Sequence, residues 1–287
     1  MPALAGPSLV MDTALRLTAI ALLLRPMGPW YIRPLILAAA VLALVRPRAL
    51  HSTWLWGTIA LATAIRIAED WPMADNHIYL LCYWTLAIAL SLRTADAAAA
   101  LASSSRWLLG LAFVCAVLWK GVLSPDFLDG RFFRVTLLTD PRFGTAAQLV
   151  GGLSAEDLKM NRRALAVLPE GAELLDPPTV LEPTRLRAFA TASTWGILAL
   201  ESLIAALMLA PQRDRVAVPA HVVLLMFCAV TYAFAPVAGF GWLLLVMGLA
   251  QLPSSRPWLA GAYLAVFLVV LFFDEVAWAD LVLAITR

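Results

Sequence analysis

The chain has 287 residues, of which 62% are hydrophobic and 14% charged, and its net charge is +2 at pH 7. Soluble domains are about half apolar and a quarter charged, and disordered chains are poorer still in apolar residues, so both classes are excluded. A charge this small and this scattered also excludes a nucleic-acid surface, which leaves an all-α polytopic membrane protein in contact with the lipid bilayer.

In chain order, apolar runs between basic or proline-containing breaks predict helices at residues 8–24, 34–45, 52–68, 76–92, 107–123, 186–210, 216–234, 237–252 and 258–273. A spanning helix needs about 20 residues; the second run is short and reads as re-entrant or extended by its flanks. The last leaves the hydrocarbon by Asp274, Glu275 and Asp280. The expectation is a bundle of eight or nine transmembrane helices forming one domain over residues 1–287. The runs are too long, and too continuous, for membrane strands. No removable signal peptide is evident, so the first helix is expected to target the chain to the cell membrane as a multi-pass protein. Cys82, Cys115 and Cys228 lie inside apolar runs, with no spacing that marks a disulfide framework.

Basic residues set the orientation. Arg46, Arg48, Arg93, Arg106, Arg213, Arg215 and Arg256 fall in alternate loops, which are therefore expected in the cytoplasm. Glu69, Asp70 and Asp75, and the long segment at residues 124–185, then lie outside. Within that segment, Ser154-Ala-Glu-Asp157 has the form of a capping box and predicts a helix through Leu168, with Leu158, Leu165 and Leu168 on one face. It reads either as an interfacial helix or as a helix covering the end of the bundle. Pro169, Gly171, Pro177, Pro178 and Pro183 predict an extended connector after it.

Ionisable residues at membrane depth or at helix ends are the candidates for chemistry. They fall into five groups: Asn76 with His77, Lys120 with Asp126 and Asp129, Glu201, His221, and Arg66 with Glu69. Only two of the 21 basic residues are lysines, Lys120 and Lys159. Arginine keeps its proton in a protein, whereas lysine in an apolar pocket can release it, so Lys120 at the outer end of an apolar run is a candidate general base. The alternative is a lysine snorkelling to the interface. His77 can exchange a proton near neutral pH, and Asn76 can donate to a developing oxyanion; alternatively both belong to an ordinary helix start. Glu201, in mid-span, must be neutral or paired. His221 reads as a core histidine. Three scattered histidines show no metal-ligand spacing, and no metal is expected.

Two stretches resemble a known family. Asn76-His77-Ile78-Tyr79-Leu80-Leu81 is similar to the Asn-His-Ser-Tyr-Leu-Tyr stretch of vitamin K-dependent gamma-glutamyl carboxylases. Trp119-Lys120-Gly121-Val122-Leu123-Ser124-Pro125-Asp126-Phe127-Leu128-Asp129-Gly130 resembles their lysine stretch and the Lys-Leu-Asn-Pro-Asp-Phe-Leu-x-Gly of bacterial HTTM (horizontally transferred transmembrane) proteins. Leu198-Ala199-Leu200-Glu201 and Phe240-Gly241-Trp242 resemble a later acidic helix and hairpin close. The chain departs from the family at Gly121 and Val122, and at Phe227-Cys228 where the family has Phe-His. No counterpart of the β-rich region of animal carboxylases follows Leu252. His221, two turns before Cys228, is the residue that would replace the missing histidine.

The resemblance implies a quinol-dependent carboxylase or epoxidase-like enzyme. Its co-substrates would be a reduced vitamin K or menaquinone-type quinol, oxygen and carbon dioxide, with a peptide or protein as acceptor. Lys120 and His77 would then be catalytic, and Asn76, Tyr79, Asp126, Glu201 and His221 would bind quinone or substrate. The competing expectation is a non-catalytic binding or immunity protein on the same scaffold, with Lys120 structural; a transporter is a distant third.

Overall fold

The computed structural model describes residues 9–25, 27–168, 170–171, 179–211, 214–234, 237–275 and 285. Pro169, Pro177, Pro178, Arg213 and Asp280 lie outside the described residues. Among the described residues the fold is all-α, without strands.

The first helices are α1 (Leu9–Leu24), α2 (Arg33–Val45), the single turn α3 (Pro47–Leu50), α4 (Thr53–Glu69), α5 (Asn76–Ser91) and α6 (Ala97–Leu118). Ser52 caps α4 by accepting from the Leu55 N–H, and Asp96 caps α6 by accepting from the Ala99 N–H. The end of α6 widens into a π-helical turn, Trp119–Leu123, which carries Lys120 and stops before Pro125. Proline lacks the N–H that a continuing helix would use.

A cap of short helices follows: α7 (Pro125–Leu128), α8 (Arg131–Thr139), a 3-10 turn (Pro141–Phe143), α9 (Gly144–Leu149) and α10 (Ala155–Ala164). The bundle resumes with α11 (Thr184–Leu209), α12 (Asp214–Phe234), α13 (Ala238–Ala250) and α14 (Pro257–Glu275). The expected runs therefore coincide with helices to within a few residues, except that the run at 107–123 begins ten residues earlier, at Ala97.

Helix α13 is the axis of the bundle. It is apolar on every side, and each residue from Trp242 to Ala250 is inside, as an all-round hydrophobic helix must be. It packs against α1, α5, α6, α12 and α14. Gly248 lets Tyr263 of α14 approach so closely that a Cβ would stand 2.5 Å from the phenol oxygen. Among the outer helices α4 pairs with α5 as a hairpin, and α6 pairs with α11, with the cap helices between them in the chain.

The cap has a core of its own. Leu137, Leu138, Ala146, Ala147, Leu153 and Leu158 close over Leu186 and Ala190 at the start of α11. The Ser154–Asp157 capping box forms reciprocally. However, α10 ends at Ala164, six residues past its last inward leucine, Leu158, and Leu165 and Leu168 are exposed. The helix packs on α8 and α9. Of the two expected roles, covering the end of the bundle is the one this packing matches.

Among the described residues, three helices are long and apolar enough to cross a membrane, Ala97–Leu123, Thr184–Leu209 and Arg215–Tyr232. Further apolar helices, including Arg33–Val45, Gly239–Ala250 and Pro257–Phe272, are shorter. Outer faces carry apolar stripes at helical spacing, such as Val222, Met226 and Val230 on α12 and Leu86 and Leu90 on α5, all 42–56% exposed.

Candidate functional site

Helices α6 and α11 run antiparallel, and their register determines what Lys120 meets. At one end the Arg106 guanidinium donates to the Ala210 carbonyl at 3.2 Å. Next, Gly110 lies so near Leu209 that a Cβ there would come within 2.5 Å of its methyl. Three turns on, the π-turn brings Lys120 opposite Glu201, and its ammonium donates to Glu201 Oε1. The Glu201 side chain is only 6% exposed and that of Lys120 24%. The lysine also stands 5.5 Å over the ring of Phe127 in the cap. Turns of π-helix inside α-helices occur frequently at functional sites, because the extra residue re-aims a side chain.

The pair lies in the wall of a cleft of about 790 Å³ between α5 and α6, within the range of small-molecule sites. Asn76, His77 and Tyr79, from the first turn of α5, line the same cleft, so Lys120, Glu201, Asn76, His77 and Tyr79 share one space. The remaining surface is mostly Leu80, Leu108, Leu111 and Phe113, with the rings of Tyr83, Trp119 and Phe240. His77 is part-buried, and its Nε2 is 4.0 Å from an Asp75 oxygen. His77, Val237 and Phe240 also border a second, smaller cavity of about 460 Å³, reaching Arg25 at the end of α1 and Arg142 in the cap.

Two expected members are elsewhere. Asp126 is not at the cleft: it pairs with Arg131 at 3.0 Å on the surface, and Asp129 holds the same guanidinium at 2.5 Å. Both carboxylates are drawn by a nearby arginine whose fork is within two to five residues, so neither reaches Lys120. His221 lines neither cavity; its Nδ1 is 2.8 Å from the Tyr263 hydroxyl, buried between α12 and α14. It does not stand in for a histidine at the cleft, because it is buried against Tyr263 and no residue of α12 lines that cleft. Arg66 meets Asp70 rather than Glu69, whose carboxylate accepts from the Tyr31 hydroxyl at 2.5 Å.

Tyr83, Trp119, Phe240 and Cys115 also line the cleft. Tyr83 follows Tyr79 by four residues and so shares its helix face, a signal present in the sequence. Leu108, Leu111, Ala112, Cys115 and Trp119 share a face too, but an apolar face carries no mark that separates a ligand wall from a packing surface. Cys115 is an exposed free thiol, whereas Cys228 is buried.

One atom is left over. Glu201 Oε2 is shielded from solvent and has no hydrogen-bond partner among the described residues. A buried carboxylate oxygen without a partner is costly. The apolar walls of the cleft and the ammonium of Lys120 fit an aromatic ring that carries a hydroxyl.

No family model, curated protein or solved structure matches this chain.

Proposed function

We propose that the chain is a multi-pass protein of the cell membrane, with eight or nine spanning helices and residues 124–185 on the outer side. We read it as a member of the HTTM group, related to vitamin K-dependent gamma-glutamyl carboxylases, that binds a membrane-dissolved quinol in the α5–α6 cleft and begins its chemistry by removing a hydroxyl proton. The observation that carries this reading is the Lys120–Glu201 pair in an apolar cleft, with Asn76, His77 and Tyr79 around it. Exposed tryptophans near helix ends support the membrane assignment: Trp54 and Trp258 at one side, Trp30, Trp71 and Trp119 at the other.

The proton path follows from the pair. Lys120 gives its proton to Glu201 Oε1, and the free amine accepts the proton of a ligand hydroxyl. The result is an ammonium, a carboxylic acid and an oxyanion. Two neutralised groups cost less in an apolar wall than two separated charges. Asn76 and His77 supply donors for the oxyanion. The quinol, oxygen and carbon dioxide are the co-substrates this reading requires, and a peptide or protein would be the acceptor.

A second reading has an observation of its own. Lys120 donates to Glu201 Oε1 across two helices, as a structural staple would, and the chain would then be a binding or immunity protein. Purified protein in lipid nanodiscs, given reduced menaquinone, oxygen and labelled bicarbonate, separates the two. Under the enzymatic reading the wild type oxidises the quinol and folded Lys120→Arg loses about 10²–10⁴ in rate, because arginine does not release its proton. An unchanged rate in Lys120→Arg ends the base role. No turnover in the wild type favours the staple.

A further inference from the structure

We infer that the smaller cavity, of about 460 Å³, is a second binding site, for an amphiphile with an anionic head on an apolar chain, and that Arg25 and Arg142 hold the head. This site is separate from the α5–α6 cleft and does not depend on what that cleft binds.

The outer end of the cavity gathers donors. Arg25 comes from the close of α1, His77 from the start of α5 and Arg142 from the 3-10 turn of the cap. Arginine has donors and no acceptor, and histidine donates from a ring nitrogen in either tautomer. Asp140 fixes the Arg142 fork, taking Nε at 3.0 Å and one terminal nitrogen at 2.6 Å. The other terminal nitrogen makes no hydrogen bond among the described residues. A Cβ on Gly239 would stand 4.0 Å from Arg25 Cγ, so the arginine stem passes the first turn of α13. Val237 gives that helix no side-chain cap, and the N–H groups of its first turn add to the donors at this end. No acidic residue is among the described residues that line the cavity. Side-chain donors converging from three elements are the complement of a phosphate or carboxylate.

The inner end has the opposite character. Thr18 lies seven residues before Arg25 on α1, and Val246 seven after Gly239 on α13. At 1.5 Å per residue the space therefore runs about 10 Å into the bundle. Leu22, Leu81, Leu243 and Val246 wall it. The Thr18 hydroxyl is already engaged, donating to the Ala14 carbonyl at 2.8 Å and accepting from the Trp84 indole at 3.1 Å. An apolar chain suits this end and a polar one does not. Leu24 lines the cavity and is 40% exposed, so the mouth opens beside the end of α1. A small anion satisfies only the outer half of the cavity and a neutral chain only the inner half.

The test measures binding to the full-length protein in nanodiscs of zwitterionic phosphatidylcholine at pH 7. The probes are dodecyl phosphate and 1-dodecanol, alike in chain and different in head, compared at equal concentrations in the bilayer. Each is titrated by its protection of an introduced Ala21→Cys thiol in the cavity wall from a maleimide. Cys82→Ser, Cys115→Ser and Cys228→Ala remove the native thiols. Dodecyl phosphate is expected to protect at concentrations about tenfold or more below dodecanol, the effect of a hydrogen bond to a charged group. Arg142→Gln should remove most of that advantage. Protection by phosphatidylglycerol in the disc as well identifies a membrane lipid as the source, and protection by dodecyl phosphate alone a single-chain amphiphile; both support the site. Equal protection by the two probes overturns the anionic head. Inorganic phosphate protecting as well as dodecyl phosphate overturns the apolar chain, and no protection by any of them overturns the site. If the thiol variant does not fold, the rise in melting temperature of the wild-type protein with each probe gives the same comparison.

Discussion

Lys120 and Glu201 are unequally placed, and this asymmetry predicts how each tolerates loss of the other. Glu201 sits deep in the α6–α11 contact, while Lys120 is a quarter exposed and on a flexible stem. Removing one member of a buried ion pair costs about 3–5 kcal/mol, whereas replacing both with apolar groups of similar size is often neutral. Lys120→Met strands the buried carboxylate and should lower the melting temperature clearly. Glu201→Leu should lower it less, since the lysine can turn toward the surface. The double variant should recover most of the loss in a thermal unfolding cycle. If both single variants melt with the wild type, the pair is not holding α6 to α11. Each residue stood out in the sequence, but their partnership did not. They are 81 positions apart, and the meeting depends on a crossing register that Gly110 permits by its lack of a side chain.

The cap is held by ion pairs that its individual helices could not replace. Arg134 makes a two-pronged contact with Glu182, the second prong at 2.6 Å, and Arg187 adds a third contact at 3.4 Å. The amide of Asn161 donates to the Leu181 carbonyl and accepts from its N–H, both at 2.8 Å. Hydrogen bonding to the Arg134 guanidinium holds the Glu182 carboxyl below its ordinary value of 4.5. Asp140 is lowered likewise, chiefly by its bond to Arg142. A carboxyl with a depressed value in the folded state contributes stability that is complete above its unfolded value and is lost as pH falls through the folded one. The cap should therefore loosen below pH 4.5, ahead of the apolar helices. Hydrogen exchange over α8 to α10 is the measurement, and Glu182→Gln should exchange faster at neutral pH and respond less to acid. Uniform exchange across cap and bundle at pH 4 would contradict this. Helices α8 and α9 had no distinct sequence signal, because pieces of nine and six residues are too short to be helical on their own. The capping box of α10 was legible because its bonds are local.

For the molecule as a whole, Arg46, Arg48, Arg93, Arg215 and Arg256 gather at the end of the bundle opposite the cap, and this distribution predicts the cap outside the cell. Lys159, exposed on α10, offers a position to check it. With Cys115→Ser removing the exposed native thiol, a Lys159→Cys variant should react with a membrane-impermeant maleimide in intact cells. Reaction only after lysis would reverse the orientation and place the cleft at the opposite side of the membrane. The positions of the long helices were readable from the chain because apolar runs and proline breaks act within a few residues, whatever the neighbours do. That Asn76, His77 and Lys120 stand at matching ends of adjacent helices followed from alternation of direction, and the cleft they share agrees with it. What no local pattern held was the choice of partners. Asp126 lies six residues from Lys120 yet binds Arg131, His221 turns to Tyr263, and the lysine crosses to Glu201. Those pairings are decided by which helix faces which and at what register, and such distances exist only once α13 has organised the bundle around it.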